Sequence, residues 1–142
     1  MNMGGNMTYN EKKRYLEGYI YSVRKIKSLQ RDLEQWETIA TKMSQKLTQT
    51  PVKSNASRSK IEECAIRIAG IEQSLIDEIR DAEEKKNAIA GSITSIRNPR
   101  RREIIEMRYV HNVPVCEIAL DFNKGEDNIY KIIRKTIKAM EI

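Results

Sequence analysis

Residues 26–47 read IKSLQRDLEQWETIATKMSQKL, and the apolar positions Ile26, Leu29, Leu33, Trp36, Ala40, Met43 and Leu47 are separated by three and four residues in strict alternation. A repeat of about 3.5 residues puts all of them on one side of an α-helix, as a seam of the kind along which helices pair in coiled coils. Leu16, Ile20 and Val23 extend the stripe upstream, so the pattern predicts one helix from Asn10 to Thr48. Residues 1–9 are polar, with Gly4 and Gly5 among them, and are expected to be a disordered tail.

The rhythm breaks after Leu47. Pro51 and the small polar residues around it predict a loop at about 48–58. A second helix is expected to start near Ser57 or Ser59, because Ser59 followed by Glu62 has the spacing of a capping box. Its stripe is Ile61, Cys64, Ile68, Ile71, Leu75, Ala82, Ile89 and Ile96, interrupted at Glu78 and Lys85, where packing should be weak or polar. The stripe ends at Asn98-Pro99, since the residue ahead of a proline is pushed out of helical geometry. Neither helix can bury its stripe alone, so residues 10–98 are predicted to fold as a long antiparallel, coiled-coil-like hairpin. Self-association through the same helices, as a homodimer, is equally available to them.

Composition agrees with long amphipathic helices. Of the 142 residues 32% are charged and only 6% aromatic, which leaves little for a large globular core. The net charge of +6 and pI near 9.3 favour an anionic partner. No apolar run is long enough to span a membrane, and the start lacks an apolar signal core, so the expected location is cytoplasmic. Cys64 and Cys116 form no CxxC pair and His111 is the single histidine, which argues against zinc. Both thiols fall at apolar helical positions and are expected to be free and buried. No nucleophile and base stand at catalytic spacing, so neither catalytic residue nor cofactor is assigned and the chain is read as a non-enzyme.

After Pro99 the chain changes to short pieces, Arg100–Tyr109, Val113–Phe122 and Gly125–Met140, predicting three helices with brief breaks in residues 99–142. Pro114 suits a first helical turn, Asn123 or Gly125 suits a positive φ, and Gly125 also suits a helix cap. A helix pair joined by so short a turn is a helix-turn-helix arrangement. The expected architecture is therefore all-α, a long antiparallel helical hairpin followed by a small C-terminal helix-turn-helix module. On the third helix Ile129, Ile132, Ile133, Thr136 and Met140 share one side, toward which Glu126 also falls. Asp127, Lys131, Arg134 and Lys138 share the other, flanked by Asn128 and Lys135. Residues 99–142 carry nine basic and seven acidic residues, so the reading rests on pattern and not on charge.

The predicted DNA-binding set is Arg100, Arg101, Arg102, Lys124, Asp127, Asn128, Lys131, Arg134, Lys135 and Lys138. The cations suit phosphates or guanine edges, Asn128 suits adenine, and Asp127 can accept from a cytosine amino group. The arginine run is assigned to backbone phosphate, with an Arg102–Glu106 ion pair as the alternative. The basic start of the first helix, Lys12, Lys13, Arg14, Arg24, Lys25, Lys27 and Arg31, is read as a solvated face, with a second nucleic-acid surface as the alternative.

The runs Arg102-Glu-Ile-Ile-Glu-Met-Arg-Tyr-Val110, Val115-Cys-Glu-Ile-Ala119 and Asn128-Ile-Tyr-Lys-Ile132 resemble region four of bacterial sigma factors over about 40 residues. With its long amphipathic region ahead of that module, the whole chain is similar to phage and prophage regulators of the ArpU and RinA type. The resemblance implies a transcription regulator with promoter DNA as ligand, host RNA polymerase as second partner and the recognition helix at Gly125 to Lys138. Where relatives carry serine or threonine at the cap followed by a basic residue, this chain has Gly125-Glu126-Asp127. Two other readings stand beside it: a DNA-packaging subunit of the small-terminase kind, and a coiled-coil adaptor whose last module grips protein.

Overall fold

The computed structural model describes residues 7–49 and 55–142. Among them the regular structure is entirely α-helical: α1 (Tyr9–Gln49), α2 (Asn55–Thr94), α3 (Pro99–Tyr109), α4 (Val115–Asp121) and α5 (Glu126–Ala139). The expected tail lies outside the described residues for 1–6. Thr8 starts the helix, its hydroxyl accepting from the Glu11 amide at 3.2 Å while its carbonyl takes the Lys12 amide at 2.9 Å. The expected loop lies outside them at 50–54, but Gln49 and Asn55 are already helical. Ser59 is consequently inside α2 and caps nothing. Helical backbone there had to compete only with a weak local signal, which the packed seam overrides.

The chain divides at 22/23 and 81/82 into a terminal unit, made of the start of α1, the end of α2 and all of α3–α5, and a middle unit, residues 23–81. The division cuts through both long helices and leaves residues 99–142 in one unit with the start of α1 and the end of α2.

In the middle unit the two long helices pack antiparallel. Met43 meets Cys64 (Sδ to Sγ 3.7 Å), Arg67 stacks on Trp36 (4.9 Å to the ring centroid), and Lys25 pairs with Glu78 (3.2 Å). The interruption expected at Glu78 is thus a specific ion pair in the seam. A two-helix seam has solvent on both flanks: Ile26, Leu29, Leu33, Trp36, Ile68, Ile71 and Leu75 are only half-buried, and among the described residues of this unit Cys64 alone is buried. Ile39, Ile66, Ile76 and Ile79 remain exposed.

The terminal unit holds the main core. Leu16 of α1 and Ile89 and Ile93 of α2 join Ile104, Ile105 and Tyr109 of α3, Val115, Ile118 and Ala119 around α4, and Ile129, Ile133, Ile137 and Met140 around α5 in one apolar cluster. Each fully enclosed aliphatic side chain there contributes about 1.5–3 kcal/mol relative to exposure. The interruption expected at Lys85 is also resolved, its ammonium donating to the buried Ser22 hydroxyl at 3.1 Å.

Local chemistry sets the short helices. Asn98 is held extended ahead of Pro99, and its side-chain oxygen accepts from the Arg100 and Arg101 amides at 3.0 and 3.2 Å, a cap worth about 1 kcal/mol. Pro114 is the N-cap of α4, one place ahead of the expected first turn, because its extended ψ of 147° cannot belong to the helix. Asn123 takes the left-handed conformation (φ 53°) and Gly125 caps α5, as the pattern of the connection suggests. Ile137, absent from the expected inner face, is fully buried, and Glu126, expected toward it, is exposed. Cys116 is exposed on α4, contrary to the expectation, while Cys64 is buried; both thiols are free.

Candidate nucleic-acid interface

α5 is the most strongly two-sided of the short helices. Ile129, Ile133, Thr136 and Ile137 close its inner side, and Asp127, Asn128, Lys131, Arg134, Lys135 and Lys138 are exposed on the outer one. The Thr136 hydroxyl is satisfied inside the helix by donating to the Ile132 carbonyl at 2.6 Å, so its burial leaves no polar orphan.

The ten residues singled out by pattern do not form one patch. Arg101 from the first turn of α3, Lys124 from the α4–α5 connection, and Asn128, Lys131 and Lys135 from α5 converge, with Ile132, around a pocket of about 310 Å³. Lys124 is half-buried, and its backbone is held by the Lys124 amide donating to the Ala119 carbonyl at 2.9 Å. Arg100 is exposed in the same turn of α3 as Arg101 but does not line the pocket.

The other members have different surroundings. Arg102 donates through Nη1 to the Ile96 carbonyl at 3.0 Å, which ties α3 back to the end of α2 and replaces the expected alternative of a pair with Glu106. Glu106 instead lies 3.8 Å from His111 Nε2 on the surface. Arg134 stacks over the Tyr9 ring, 4.9 Å from its centroid. Lys138 keeps its side chain exposed, but its carbonyl at 3.0 Å and that of Met140 at 2.7 Å accept from the Lys12 ammonium.

Lys12 and Tyr9 were invisible as participants. Lys12 lies within the run expected to be a solvated face, yet it neutralises the unpaired carbonyls at the end of α5, where a helix carries partial negative charge. No local signal announces a contact between residues 12 and 138. Nearby, burial pushes the Tyr109 hydroxyl up to about 12; Tyr9 and Glu17 add to the rise and Arg108 opposes it.

Among the described residues no group of three or more His, Cys, Asp or Glu side chains is placed to hold a metal ion, and no helix is long and apolar enough to cross a membrane. Comparison of the chain with known protein families, with curated proteins and with solved structures finds no match in any of the three.

Proposed function

We propose that the protein is a sequence-specific DNA-binding transcription regulator of phage type, in which α4 and α5 act as a helix-turn-helix and α5 enters the major groove. One observation carries the reading: the outer side of α5 presents Asn128, Lys131, Arg134, Lys135 and Lys138 to solvent, with Arg101 and Lys124 brought to its flank. The hydrogen-bonded connection at residues 122–125, with Asn123 in the left-handed region, is of the length such pairs use. Cations on that side bind by releasing counterions from the duplex, and Asn128 supplies an adenine-reading amide at the leading end. In this reading residues 23–81 pair two copies through the exposed isoleucines, and host RNA polymerase is the second partner.

The test is selection from a random duplex library, followed by affinity measured against salt for the chain and for Lys131→Ala/Arg134→Ala/Lys138→Ala. Each phosphate contact removed lowers the slope of log affinity against log salt by about 0.9, so a loss of up to about 3 is expected. Unaltered affinity and slope would refute the reading. Leu120, 82% exposed, and Tyr130, 55% exposed, favour a second reading in which this unit grips protein. That reading predicts no salt-dependent retention of duplex by the wild-type chain.

A further inference from the structure

Arg101, Lys124, Lys131 and Lys135 come from three separate segments and line one small pocket, together with the Asn128 amide and Ile132. No carboxylate lines it, and among the described residues none of the four cations has an ion-pair partner. Lys131 and Lys135 are moreover four apart on α5, a like-charge spacing that costs a helix about 0.2–0.5 kcal/mol. Folding thus concentrates positive charge where, among the described residues, no ion pair offsets it. A solvated face would spread such residues or intersperse acids, and the acids at hand, Glu126 and Asp127, do not line the pocket. Glu126 and Asp127 in the first turn of α5 offset the dipole there, so the field of the pocket comes from its four cations.

We infer that this pocket is a single-phosphate seat. Arg101 supplies a planar fork of donors, and Lys124 and the two α5 lysines supply point charges, a set that matches the several acceptor oxygens of one tetrahedral anion. Its occupant is an internucleotide phosphate of the duplex, an assignment that rests on the DNA-binding reading. Seated there, one phosphate fixes how far α5 enters the groove and in which register its outer residues meet the bases.

The seat differs measurably from a row of independent surface cations. Removing contact with one phosphate lowers the slope of log affinity against log salt by about 0.9, which is about a 3.5-fold smaller loss of affinity between 50 and 200 mM salt. If Arg101, Lys124, Lys131 and Lys135 serve the same phosphate, Arg101→Ala/Lys124→Ala/Lys131→Ala/Lys135→Ala loses about 0.9 in total. If they serve two or more phosphates, the quadruple variant loses about 1.8 or more. Lys138→Ala, outside the pocket, adds its own 0.9 to either background. Lys124 is half-buried and the other substituted side chains are exposed, and circular dichroism of each variant checks that the fold is kept.

A shared loss of about 0.9 supports the seat. A loss of about 1.8 or more in the quadruple variant, or none while duplex still binds, overturns it and leaves DNA binding standing. A second arm titrates the full chain with inorganic phosphate and follows backbone amide resonances. Saturable shifts at Lys124, Asn128 and Lys131 that vanish in the quadruple variant support an anion seat. Such shifts without any duplex binding would overturn the internucleotide assignment together with the DNA reading. Uniform weak shifts across the surface lysines would overturn the seat itself.

Discussion

Leu16 is the sharpest probe of how this chain is assembled. It lies on α1, more than eighty residues before α3, yet it is fully buried in the cluster that contains Ile104, Ile118, Ile129 and Ile137. Leu16→Ala removes buried methyl groups from a site enclosed by four other helices, and such truncations cost about 2–5 kcal/mol. A central value near 3 kcal/mol corresponds to roughly a 150-fold rise in the opened population, since about 1.4 kcal/mol is a factor of ten. The assay is hydrogen exchange on the full chain, read at the amides of Ile129, Ile133 and Ile137, which sit in the middle of α5. Their protection is expected to fall by about two decades, although the substitution is on another helix. If α5 keeps its protection while only the start of α1 loses it, the shared core is wrong and residues 99–142 stand as an independent module.

Lys12→Met removes two charge-assisted hydrogen bonds to the end of α5 while keeping the length of the stem. Lys12 is half-exposed, so the loss is about 1 kcal/mol, and a fall of roughly 3–5 °C in Tm measures it; an unchanged Tm would show the clasp to be idle. Tyr109 titrates near 12 in the fold against 10.0 unfolded, so its contribution is complete below pH 10 and is lost as pH rises toward 12. Stability of the wild type should therefore drop over that window by about 2 kcal/mol more than that of Tyr109→Phe, followed by urea unfolding at a series of pH values; parallel curves would contradict the burial argument. Ile66 and Ile76 are exposed on α2, and pairing of two copies through them predicts that Ile66→Glu/Ile76→Glu shifts sedimentation from dimer to monomer. A wild type that sediments as a monomer would remove that part of the function proposed here.

Much of the architecture is legible before any coordinates. The alternation of three and four residues from Ile26 to Leu47, and its counterpart from Ile61, determine two long helices with one apolar side each, because period alone selects helix and seam. Asn98-Pro99, Pro114 and Asn123-Lys124-Gly125 mark the joints of α3, α4 and α5, since each breaks helical geometry by local sterics. The cationic outer side of α5 follows from the same counting. Tertiary structure alone decided what covers each apolar side. Periodicity says that Leu16 and Ile89 face inward but not that α3–α5 are what they face, so a boundary drawn at Pro99 separates residues that share one core. It also cannot say which cations meet. Arg101 and Lys124 reach the flank of α5, Arg134 turns to Tyr9 and Arg102 is spent on the Ile96 carbonyl. Such contacts join residues far apart in the chain and leave no trace in local spacing. Sequence determined the faces, and packing determined their partners.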